Sequence, residues 1–155
     1  LGFGDPRVEL RVDDYQALLD EHGRRRPGKG RIAEAIDELG HVNNAVHYTW
    51  FDTTVNAWLI GEGLLDLVRT EVVGLVAATS CQYFSEAAFP DRVSCGLRAV
   101  KVGRTSVTYE LGLFRNDDPL TFAIGRFVHV YVRWPSREPA PLSAAMQAAL
   151  ARIAP

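Results

Sequence analysis

Between Asn44 and Gly61 the chain carries no glycine or proline, and Val46, Trp50, Phe51, Val55, Trp58 and Leu59 recur at helical spacing. This predicts a long helix over about 44–61. Apolar side chains occupy much of its circumference, so the helix wants to be largely enclosed. After Gly63 the pattern changes. Val72–Phe84, Arg92–Val102, Ser106–Arg115 and Leu120–Trp134 are rich in Val, Thr, Tyr and Phe. They are separated by Ala88-Phe89-Pro90-Asp91, Gly103-Arg104-Thr105 and Asn116-Asp117-Asp118-Pro119, which read as hairpin breaks between antiparallel strands. Ser143–Ile153, after Pro141, reads as a short final helix.

Upstream of the long helix the signals are weaker. Arg31–Ile36 alternates enough for a first strand, and Asp37–Asn44, with Gly40 and two asparagines, reads as a turn. Residues 1–30 read as an extension ahead of the main domain at 31–155. In that extension Asp13 caps a short helix bearing Tyr15, Leu18 and Leu19, which Gly23 ends, and Arg24–Gly30 forms a basic linker. The whole is an α+β chain, one helix against a curved antiparallel sheet. A sheet covers only one side of such a helix, so a second copy is expected to bury what remains.

Composition narrows the function. The chain has 155 residues, 17 basic and 19 acidic, for a net charge of -2. That balance argues against a broad nucleic-acid or membrane surface. No run reaches the roughly 18 apolar residues of a membrane helix, and no signal peptide is evident, so a reducing cytoplasm is the expected location. Cys81 and Cys95 are too few for a disulfide framework, lack metal-ligand spacing, and read as small buried hydrophobes. There is no Gly-x-Ser-x-Gly elbow and no phosphate-binding or dinucleotide glycine motif. His41 and His47 are not at the i, i+4 spacing of a helical zinc pair.

The candidate chemistry lies in Asp37-Glu38-Leu39-Gly40-His41-Val42-Asn43-Asn44, which leads into the long helix. A helix N-terminus offers unpaired N–H groups and a positive dipole end, which can hold a developing oxyanion. A carboxylate just before it is within reach of the same point, and Gly40 allows a tight turn or close approach to a ligand. Asp37 could attack an ester or thioester carbonyl or activate water there. It could equally cap the loop. His41 and His47 titrate near neutrality but also suit structural roles. Asn43 and Asn44 side chains suit capping and loop hydrogen bonds. Asp52 is either a second base or a polar residue on the helix face.

The segment Asp37-x-x-Gly40-His41-Val42-Asn43-Asn44 resembles the signature of the 4-hydroxybenzoyl-CoA thioesterase family. The resemblance continues through Tyr48-Thr49-Trp50-Phe51-Asp52, Phe84–Asp91 and Gly103-Arg104-Thr105-Ser106, about residues 31–135 in all. It implies a hotdog fold, a long helix wrapped by a five-stranded antiparallel sheet, and hydrolysis of an acyl-CoA thioester. By the same resemblance Asp37 is the catalytic carboxylate, Gly40 and His41 belong to the catalytic loop, and the Asn44 N–H polarises the carbonyl. The acyl group is expected along the helix and sheet, by His47 and near Trp50 or Phe51. Arg104 matches a position that in some members meets coenzyme A phosphates, and Lys101 is a neighbouring candidate without a clear family match. No cofactor is implied beyond coenzyme A as part of the substrate. The family implies a dimer or tetramer with sites at the dimer interface. Two positions depart from the pattern: Ala35 stands where many relatives have another Asp, and His47 where a tyrosine is usual. An acyl-thioester hydratase or dehydratase and a non-catalytic acyl-CoA or acyl-carrier binder are the competing readings on this fold.

Overall fold

A computed structural model describes residues 42–66, 68, 71–88 and 91–155. The expected extension at 1–30, the first strand at 31–36, and Asp37, Gly40 and His41 lie outside the described residues. What is described follows the hydrophobic pattern closely. Helix α1 spans Asn44–Gly61. Four strands follow, β1 (Val72–Tyr83), β2 (Val93–Val102), β3 (Ser106–Arg115) and β4 (Thr121–Arg133), and then helix α2 (Ala144–Arg152). Of the five expected strands, four are therefore seen among the described residues.

The helix ends have local causes. Asn43 caps α1, its Oδ1 accepting from Ala45 N at 3.0 Å. At the other end Gly63 adopts φ +68, a left-handed conformation that glycine takes at no steric cost. Gly63 N donates to Ile60 O and Leu64 N to Leu59 O, which satisfies carbonyls the last turn would leave open. Ser143 caps α2 through Met146 N at 3.1 Å.

The sheet order is β1-β4-β3-β2, antiparallel throughout. Ala123, Gly125, Phe127, His129 and Tyr131 of β4 share one face, as period-2 alternation requires. Phe51, Val55, Trp58 and Leu59 of α1 join Leu97, Tyr109, Leu111, Leu113 and Phe127 in one buried cluster, extended by Met146, Ala149, Leu150 and Ile153 of α2. At Gly125 the Phe51 ring lies against the strand: a Cβ there would stand 2.5 Å from it. Cys95 is buried as expected and Cys81 is half-buried; both are free thiols. On the opposite face of the sheet Glu110 is buried between Arg98 and Arg126. Burial alone would raise its pKa, but hydrogen bonds from the two guanidiniums outweigh that and hold it below the usual carboxylate value.

Strand β1 stands apart. Leu75 through Ser80 are exposed on both faces, and Val72–Tyr83 contains no charged residue. Among the described residues, one side of its backbone pairs with β4 and the other pairs with nothing. Natural edge strands carry charge, proline or a cover against further pairing. Here none of these is built into the strand.

Where β1 and β4 meet, His129 is 3% exposed and, among the described residues, neither ring nitrogen has a hydrogen-bond partner. Its Nδ1 lies against Gly74, where a Cβ would stand 3.1 Å away. Burial pushes its pKa down to about 4, from 6.5. Between those values the unfolded chain binds a proton that the folded one refuses, so stability is present above pH 6.5 and is lost as pH falls towards 4. The difference corresponds to about 3 kcal/mol over that window. His47, also shifted down, adds in the same direction. Denaturant titrations from about pH 7.5 to 4.5 are expected to show this fall in the wild type and a clearly flatter profile in His129→Leu. Parallel profiles would mean that His129 does not carry the acid sensitivity.

Candidate active site

The start of α1 leaves a donor open. Asn43 Oδ1 takes the N–H of Ala45, and Asn43 O takes that of Val46 at 2.9 Å. Among the described residues nothing accepts from the Asn44 N–H, and Asn44 is exposed. The first turn of α1 contains no acidic residue, so no carboxylate of its own quenches the positive end of the helix dipole. A hydrogen bond from Val42 N to Ala87 O at 3.0 Å ties the entry of the helix to the segment after β1. The helix N-terminus thus sits at the end of the sheet where β1 finishes and β4 begins.

His47, one turn into α1, is buried there. Its Nδ1 lies 3.3 Å from Asn43 O. Its ring meets Trp50, Tyr83 and Phe122 edge-on, with centroids 5.5, 5.0 and 5.9 Å away. Burial lowers its pKa, outweighing the opposite pull of the Asn43 and Asn44 backbone, so the ring is neutral at pH 7. Trp50 is half-buried beside it. Phe51 is fully buried, held by Gly125 behind and by Tyr48 and Phe127 at ring distances of 6.1 and 5.9 Å. Asp52 lies on the exposed face of α1, takes a hydrogen bond from Asn56 Nδ2 at 3.0 Å, and has its pKa raised by partial burial.

Tyr83 and Phe122 were not singled out by sequence. The signal was weak: both sit at strand ends, where alternation stops saying which face a side chain takes. Burial raises the Tyr83 pKa to about 12, and the neighbouring Cys81 thiol adds to the shift.

Lys101 and Arg104 are not brought to this site within one chain. Both are exposed at the β2–β3 hairpin, next to the register pair Ser106–Val130. Phe122, beside His47, lies eight residues back along β4, about 26 Å at the rise of a strand. The sequence resemblance gathers residues that a single sheet keeps at opposite ends.

A helix packed on one face of a curved antiparallel sheet, with its free N-terminus at a sheet end, defines a hotdog-type α+β protein. The model of the thioesterase-like superfamily matches residues 31–150, and the chain belongs to that family. Among solved structures it is similar to the PA5185 protein from Pseudomonas aeruginosa strain PAO1, at 45% identity and a TM-score of 0.75, covering 78% of this chain and 85% of that one. It is similar to PA2801, a putative thioesterase from Pseudomonas aeruginosa, at 26% identity and a TM-score of 0.70, covering 76% and 90%. It is also similar to a thioesterase complexed with coenzyme A and Zn from Thermus thermophilus, at 26% identity and a TM-score of 0.62, covering 78% and 87%. No curated protein matches. Among the described residues no helix is long and apolar enough to cross a membrane.

Proposed function

We propose that this protein hydrolyses acyl-CoA thioesters to a free acid and coenzyme A. The observation that carries the reading is the Asn44 N–H, which has no acceptor among the described residues, at the exposed, positive end of α1. In this reading it receives the thioester carbonyl oxygen as negative charge develops there, when a fixed donor is worth most. Asp37, seven residues earlier, acts as the nucleophile or as the general base on water. Gly40 and His41 complete the loop between the carboxylate and the donor. Trp50 and, behind it, Phe51 wall the acyl group, which enters from the open side of α1 and β1.

The active unit is a dimer through β1. An uncharged strand of this length, open along one side among the described residues, is a template for a second copy. Antiparallel pairing of two β1 strands sets the Tyr83 end of one beside the Val72 end of the other. That brings the partner's β2–β3 hairpin to the sheet end that carries Asn44. Lys101 and Arg104 then serve the phosphates of coenzyme A bound across the interface, as charge-assisted donors. The coenzyme A in the Thermus thermophilus thioesterase supports this ligand.

Release of free thiol from an acyl-CoA panel is the direct test, with 2-enoyl-CoA hydration as the competing assay. Binding without thiol release, or hydration alone, overturns the proposal. The shared site makes a sharper test. Asp37→Ala and Arg104→Ala chains are each expected to be impaired. Unfolded together and refolded, they form mixed dimers in which one site keeps both residues. Activity above either parent at low substrate is the expected result. No recovery in a sample shown to contain mixed dimers means that both residues serve a site from the same chain.

A further inference from the structure

The Asn43 carbonyl oxygen accepts from Val46 N at 2.9 Å and, from the side, from the His47 ring at 3.3 Å. A carbonyl oxygen only accepts, so Nδ1 is the protonated ring nitrogen and Nε2 carries the lone pair. Trp50, Tyr83 and Phe122 bound the ring on three sides and oppose its turning away. The oxygen it holds is not incidental. The Asn43 carbonyl and the Asn44 N–H are the two ends of one planar peptide group. A donor on that oxygen fixes the plane of the group. It also draws electron density from the nitrogen, which strengthens the N–H as a donor.

We infer that His47 is a positioning residue for thioester hydrolysis, acting through the Asn43–Asn44 peptide to aim and polarise the Asn44 N–H. The inference rests on the proposed hydrolysis. It gives the imidazole a role that does not require it to touch substrate, consistent with its burial. The contribution is indirect, so its loss is smaller than the roughly hundredfold or more that follows from removing an oxyanion donor outright.

Substitutions that separate the two ring nitrogens test it. In Asn, Nδ2 occupies the place of Nδ1; in Gln, the amide reaches the place of Nε2. His47→Phe is expected to lower kcat about tenfold with KM within about twofold, since the interaction matters most in the transition state. His47→Asn recovers much of the loss and His47→Gln does not. In the substrate-free protein the Asn44 amide proton resonance is expected to move upfield in His47→Phe and to stay near its wild-type position in His47→Asn. An unmoved Asn44 resonance in His47→Phe overturns the inference, as does a kcat no lower than wild type. Recovery by Gln rather than Asn also overturns it, because Nε2 would then be the working atom. The resonance does not depend on turnover. If the wild type releases no thiol from any acyl-CoA, the hydrolysis reading fails, and the catalytic role of His47 fails with it, whatever the resonance does. If the wild type is active and His47→Phe is equally active, only the inference about His47 fails.

Discussion

Asp37→Ala is expected to lower kcat on a good acyl-CoA substrate by about a thousandfold while KM stays within about threefold, the size usual for losing a positioned proton-transfer group or nucleophile. The helix end and the acyl pocket survive this substitution, so substrate binding and some polarisation of the carbonyl remain. Thermal unfolding of the variant within a few degrees of wild type keeps the loss attributable to chemistry. Full retained activity removes Asp37 from its role. A single turnover in heavy-oxygen water then tests for the nucleophilic mechanism. A nucleophilic Asp37 forms a mixed anhydride, and hydrolysis at the enzyme acyl carbon leaves the label in its carboxyl group. A general base sends the label only to the product acid, as does a mixed anhydride opened at the substrate acyl carbon, so label in Asp37 is the result that identifies the nucleophile.

The second large effect is structural and lies behind the site. Any side chain at position 125 puts its Cβ 2.5–2.7 Å from three carbons of the Phe51 ring, well inside contact distance. Phe51 has no exposed surface and is hemmed in by Tyr48 and Phe127, so the ring has little room to give way. Forcing extra volume into a packed core costs about 1–3 kcal/mol, occasionally more. Gly125→Val sits at the upper end, because branching adds to the clash. A fall in Tm of roughly 6–12 °C is expected for a chain of this size. Phe51→Leu combined with Gly125→Ala is expected to regain part of the loss, as neighbouring substitutions couple. This contact helps hold α1, and with it the Asn44 N–H, against the sheet. Gly125→Ala is therefore also expected to reduce kcat below the melting range. An unchanged Tm in Gly125→Val would show that helix and sheet are not in close contact there.

The elements were readable because their causes are local. Helix α1 spans the residues expected from its spacing, and β3 matches at both ends. The other described strands and α2 differ from expectation by no more than about a residue at either end. Turn residues such as Gly103 and Asn116, the latter at φ 53, punctuate the strands where the sequence marks them. The capping role of Asn43 was legible for the same reason, since a cap needs only its own next few residues. Lys101 and Arg104 show where that reasoning stops. Their place beside Gly103 was clear, but their separation from Asn44 depends on the order β1-β4-β3-β2, which alternation does not encode.

By itself, then, the sequence determined the helix, the described strands and the Asn43 cap, all of which arise within a few residues along the chain. The tertiary structure alone decided that, among the described residues, β1 has a free edge and His129 is buried without a partner, that Phe51 sits on Gly125, and that His47 is boxed by Tyr83 and Phe122. Each of these depends on packing or strand pairing between segments far apart in sequence, and neither composition nor periodicity carries the register of such meetings.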